Sequence, residues 1–130
     1  NISTLLNIIT TIKSTITNIE FEDKRTNDSE MFGIYRVPTG SGCLEFVKLY
    51  TSIPYKPHIH DFCNAQFIFI EGKGDLILDG KTHPYQKGSV YDVPSGVMHG
   101  FTIEEDTVFL SIQSNPIQDR TTGVIDIRYE

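Results

Sequence analysis

Two histidines stand one residue apart in PHIHDFCNAQFIFIEG, which runs from Pro57 to Gly72. Pro54 and Pro57 precede them. In an extended chain, residues two apart face the same side. His58 and His60 can therefore aim at one point, as two ligands of a single metal ion. The competing reading is a pair of surface imidazoles beside a proline loop. A third imidazole lies in GSVYDVPSGVMHG, where His99 follows a Pro94-Ser95-Gly96 turn that returns the chain into a strand.

The elements that must position these side chains are strands. FGIYRV, LEFVKLYTSI, AQFIFIEG, DLILDG, SVYDVP, HGFTIE, TVFLSIQS and GVIDIRY are short runs rich in β-branched and aromatic residues. Asp79-Gly80 is a hairpin turn. Many short strands at regular spacing predict a sandwich, jelly roll or small barrel. Ile2, Leu5, Ile9, Ile12, Ile16 and Ile19 are spaced close to a helical period. The segment is also rich in Ile and Thr, so a short helix or an extended stretch is expected there. EDKRTNDSE, residues 22–30, reads as a loop.

At 130 residues the chain fits one domain, long enough to form a core without disulfide or metal staples. A net charge of −6 argues against nucleic acid or an anionic membrane as partner. No stretch is apolar enough to span a bilayer as a helix. Two cysteines, Cys43 and Cys63, do not make a disulfide framework. With no leader pattern in the first residues, a cytoplasmic setting is expected.

Together the two histidine motifs resemble those of the cupins, the double-stranded β-helix barrels of the germin and dioxygenase superfamily. His58, His60 and Gly72 match the first cupin motif; Gly88, Pro94, Gly96 and His99 match the second without a gap. The resemblance implies an all-β jelly-roll barrel as one domain over residues 1–130, with core motifs at 44–112. Residues 1–32 would pack on the barrel or on a partner. It also implies one divalent metal ion per chain, held by His58, His60 and His99. Fe(II) is favoured, with Mn, Ni, Zn or Cu as alternatives.

The sequence departs from the family pattern at two positions. Ala65 stands where the usual glutamate ligand would be, and Ile103 where an asparagine is often found. Gln66 is a possible additional ligand, but a one-residue shift turns a side chain to the other face of a strand, so it would need a bulge to point inward. Cys63 is a conceivable soft ligand, or simply a buried small hydrophobe. Three neutral imidazoles leave a dication's charge uncompensated, which favours an anionic, chelating small molecule.

Phe67 and Phe69 share the parity of Ala65, and Phe101 that of His99. All four are expected to line the pocket, a role compatible with core packing. Ile68 and Ile70 make the opposite face of the same strand apolar, so the N-terminal segment or a second subunit is expected to cover it, as a homodimer would. Tyr50, Glu45, Arg36, Lys48 and Tyr91 are candidates to stand behind the metal ligands. His83, outside both motifs, is expected to have a structural or solvent role. Three functions compete: a metal-dependent dioxygenase or related oxidoreductase; an isomerase or lyase acting on a sugar or organic acid; and a non-enzymatic ligand-binding or sensor protein.

Overall fold

A computed structural model describes residues 22–25, 32–39, 42–52, 54–115, 117, 122 and 124–129. The helix expected within residues 2–19 lies outside the described residues. All described elements are strands: β1 Glu22–Arg25, β2 Phe32–Thr39, β3 Gly42–Leu49, β4 Ala65–Glu71, β5 Gly74–Leu78, β6 Lys81–Tyr85, β7 Val90–Val93, β8 His99–Ile103 and β9 Thr107–Gln113. They form two antiparallel sheets, β1-β2-β3-β9-β4-β7 and β6-β5-β8.

The alternation of β4 decides which side of the large sheet becomes the interior. Phe67 and Phe69 are buried on one face, while Gln66 is exposed on the other. Register aligns Phe69 with Phe109 of β9, and Phe109 with Val47 of β3. Leu76, Tyr85 and Phe101 of the small sheet close onto the same cluster. The core is strongly aromatic: Phe69 stacks on Tyr85 at 4.0 Å between ring centroids, and Phe67 packs on Phe109 at 4.6 Å. Tyr85 places its hydroxyl 2.7 Å from Thr107 Oγ1, so its one polar atom is satisfied inside the core.

Gly72 ends the first motif for a steric reason. Its φ of +89° lies in the left-handed region, and a Cβ there would stand 2.4 Å from the Asp106 carbonyl oxygen. The Asp79-Gly80 turn joins β5 to β6 as expected, with both residues at positive φ.

Two expectations need correction. Residues 22–25, read as part of a loop, form β1, paired with β2. Among the described strands β1 ends its sheet, and an edge strand needs no apolar face. The described residues of GVIDIRY, 124–129, read as a strand, form none; Ile59 and Arg128 make an isolated bridge there. That short contact nevertheless matters for the site.

Candidate metal centre

His58, His60 and His99 converge. One ring nitrogen from each lies within 4.8 Å of the others, and all three residues are buried. Their ring centroids are 4.4–5.0 Å apart. The backbone explains the meeting. Pro54 and Pro57 hold the approach to the first motif extended. His58 and His99 then exchange two 3.0 Å backbone hydrogen bonds, which fix their side chains on one side. Gly96, at φ +78°, turns the chain ahead of His99 and donates its N–H to the His60 carbonyl at 2.8 Å.

The outward-facing ring nitrogens of His58 and His60 are tied down. His58 Nδ1 donates to the Lys56 carbonyl at 3.0 Å, and His60 Nδ1 to the Asp126 carbonyl. Such bonds select the tautomer that presents Nε2 as a lone-pair donor. Burial lowers the pKa of His58 from 6.5 to about 4, and the neighbouring His60 adds to the effect. Burial, reinforced by His58 and His60, holds His99 well below the ordinary histidine range. Neutral imidazole is the metal-binding form, so the donor set fits a divalent ion.

The other residues expected at the site separate clearly. Ala65 is partly buried against the core, on the face of Phe67 and Phe69; Phe101 is buried, 4.8 Å edge-on from Tyr55. Gln66 points outward and donates to Asp92 at 3.3 Å. β4 does contain a bulge, but it falls between Phe69 and Glu71 and leaves Gln66 unturned. Cys63 is buried with its thiol pKa raised, chiefly by burial, and stands outside the histidine cluster.

Glu45 is buried on the inner face of β3 and accepts a hydrogen bond from Gln113 Nε2, which also reaches Ser111 Oγ at 3.0 Å. Lys48 belongs elsewhere, with its ammonium 5.7 Å from the Tyr50 ring centre. Tyr91 donates to the Pro84 carbonyl. His83 packs beside Tyr91, 5.6 Å between centroids. Arg36 lies in β2, paired with Glu45 in register.

Sequence reasoning missed two residues. Tyr55 places its hydroxyl 3.1 Å from His58 Nε2 and 3.3 Å from His99 Nε2. Burial raises its pKa further above that of an ordinary phenol, and Tyr129 and Glu45 add to the effect. Asp126 is the other. Its carboxylate accepts from the backbone N–H groups of Asp61, Phe62 and Cys63 at 2.8, 3.0 and 3.0 Å, while its own carbonyl holds His60. Ile59 and Arg128 form two backbone bonds beside it, and the Arg128 guanidinium pairs with Asp61. The segment 124–129 thus straps the loop that follows the histidine pair. No local pattern marks a contact between residues more than sixty positions apart, although an Asp is a common acceptor for successive loop N–H groups.

Asp126→Ala should leave these three N–H groups without their acceptor and loosen His60. The expected outcome is a loss of about 1–3 kcal/mol of stability and a roughly tenfold weaker divalent-metal affinity. Urea unfolding and calorimetric metal titration check the two effects. Wild-type values in both would refute the strap.

Comparison with known proteins bears on the fold. Residues 51–113 match the family model described as the cupin domain. No curated protein matches the chain. Among solved structures, KdgF from Halomonas sp. is 19% identical with a TM-score of 0.60; the match covers 72% of this chain and 84% of that one. Ectoine synthase from P. lautus is 16% identical with a TM-score of 0.61, over 72% of this chain and 69% of that one. A salicylate 1,2-dioxygenase from Pseudaminobacter salicylatoxidans is 20% identical with a TM-score of 0.59. That match covers 65% of this chain but only 26% of the dioxygenase. At these identities the likeness establishes the shared fold.

Proposed function

We propose, for a chain whose residues 51–113 match the cupin domain, that it is a metal-dependent enzyme acting on a small anionic, chelating substrate. His58, His60 and His99 would hold one divalent ion, with ferrous iron favoured. The reaction would be that of a dioxygenase or related oxidoreductase. The observation that carries the reading is the convergence of three buried imidazoles with, among the described residues, no carboxylate in the cluster. When bound, such an ion supplies Lewis-acid and redox chemistry.

The protein's own groups support this choice of substrate. The three imidazoles contribute no negative charge, so a carboxylate, thiolate or enolate on the substrate can supply it. Ala65 places only a methyl group where the motif's glutamate would stand. Phe67 and Phe101 put buried aromatic rings beside the cluster, with the Phe67 ring 5.9 Å from that of His99. In such surroundings electrostatic contacts to a bound anion are strengthened. Glu45, Ser111 and Gln113 lie buried on the inner face, and Gln113 Oε1 accepts no hydrogen bond among the described residues. This polar strip can orient hydroxyl or amino groups of a substrate. The fold neighbours carry different activities in their names, so the reading rests on the site and not on the fold.

Protein purified without chelators or a histidine tag should contain about one metal ion per chain by elemental analysis, chiefly iron. Thiols, hydroxy acids and diketones are the panel for O₂ uptake, and at least one should be consumed. Metal-dependent turnover of a sugar acid without O₂ uptake would favour the isomerase or lyase reading. A chain that retains no divalent metal would sink the enzyme reading. The proposal also includes a cytoplasmic homodimer, because half-buried Ile68 and Leu110 adjoin exposed Val90 and Ile112 on the outer face. Light scattering on the same preparation would contradict the dimer if it reported a monomer.

A further inference from the structure

We propose that Tyr55 is a fourth metal ligand, binding through its phenolate oxygen and supplying the negative charge that Ala65 cannot. The inference rests on the reading of His58, His60 and His99 as metal ligands and adds a residue to it. Oη stands 3.1 Å from His58 Nε2 and 3.3 Å from His99 Nε2. With metal–ligand bonds of about 2.1 Å, neighbouring donors are about 3.0 Å apart in an octahedron and about 3.4 Å apart in a tetrahedron. Both observed separations fall between these two edges. The phenol oxygen therefore stands at the spacing of a neighbouring ligand from both His58 and His99.

A hydrogen bond between two groups has a similar length. Without a metal the hydroxyl can donate to His58 Nε2 and accept from His99 Nε2–H, whereas a cation would need both nitrogens as lone-pair donors and would draw all three atoms together. The ring is also held in place. Phe101 packs against it edge-on at 4.8 Å and His58 lies 5.2 Å from it, between centroids. Pro54 and Pro57 stiffen the chain on either side.

As the metal–oxygen bond forms, the O–H bond breaks and the proton leaves to solvent. One phenolate and three imidazoles leave a dication with a single residual positive charge. A six-coordinate ion would keep two open positions, enough for a two-pronged anionic substrate.

The test is spectroscopic and needs no substrate. Metal-stripped protein is loaded with Fe(II) without O₂, then oxidised to Fe(III) with ferricyanide. The expected result is a visible phenolate-to-iron charge-transfer band, with tyrosinate ring modes in the resonance Raman spectrum excited within it. Tyr55→Phe should lose the band while retaining iron, at least about tenfold more weakly. Tyr129→Phe should keep it, although Tyr129 is the other phenol beside His58, at 5.8 Å. Iron bound through the histidines without the band, or with a band that survives Tyr55→Phe, would overturn the assignment and leave the three-histidine site standing. Iron that fails to bind, or binds His58→Ala and His99→Ala as it binds wild type, would overturn both. The Raman spectra of wild type and Tyr129→Phe decide the matter even if Tyr55→Phe does not fold.

Discussion

His99→Ala should abolish useful divalent-metal binding, weakening it at least a hundredfold. The size follows from dividing a typical metal-binding free energy of about 10–16 kcal/mol over four ligands, which gives ~3 kcal/mol each. His99 is the most informative of the three because it brings the second motif into the site. It is 1% exposed and hydrogen-bonds its backbone to His58, so the alanine keeps those backbone bonds while removing only the donor. The fold should survive at a cost of a few kcal/mol, since a buried side chain is lost. Metal titration by calorimetry, alongside thermal unfolding with and without metal, separates the effects. Wild type should show a metal-dependent rise in melting temperature and His99→Ala should not. If the variant binds metal like wild type, the histidine cluster is only packing.

His99 also shows how far the sequence could be read. Its place at the end of the Gly88–His99 motif, and the spacing of His58 and His60, were sufficient to bring three residues from separate parts of the chain to one point. Parity explains the pair, because His58 and His60 lie two positions apart in the extended chain ahead of β4; the His58–His99 bridge brings in the third imidazole. The same parity placed Ala65, Phe67 and Phe69 on one side and Gln66 on the other, and the structure keeps that division. What escaped the sequence depends on tertiary contact. Tyr55 lies outside any strand, so no periodicity announces where its ring goes. Asp126 acts through backbone groups of residues 61–63, which no side-chain pattern records. Residues 22–25 escaped for a different reason: an edge strand needs no apolar face, so its charges resemble those of a loop.

Acid should destabilise the metal-free protein well before its ordinary carboxylates titrate. His58 has its pKa lowered from 6.5 to about 4, and His99 is held well below 6.5, in both cases chiefly by burial. In the unfolded chain both regain ordinary values near 6.5. Below that pH the unfolded state takes up protons that the folded state refuses. Stability is therefore fully present above about pH 6.5 and is lost as the pH falls towards 4. Each tenfold difference in proton affinity is worth about 1.4 kcal/mol, so His58 alone accounts for a loss of ~3 kcal/mol across that window. His99 shifts in the same direction and adds to the loss. The Asp61 carboxyl, held low by its hydrogen bond to Arg128, has the same sign but acts at lower pH, from its ordinary value of 3.8 downward. Urea unfolding of the metal-free protein at steps between pH 7.5 and 4.5 measures the slope. A flat profile would mean that the imidazoles are protonated, or solvated, in the folded state. Bound metal competes with protons for the same nitrogens, so the loaded protein should hold its stability to lower pH and then lose it together with the ion. The separation between the two profiles measures how strongly folding has prepared neutral imidazoles for a cation.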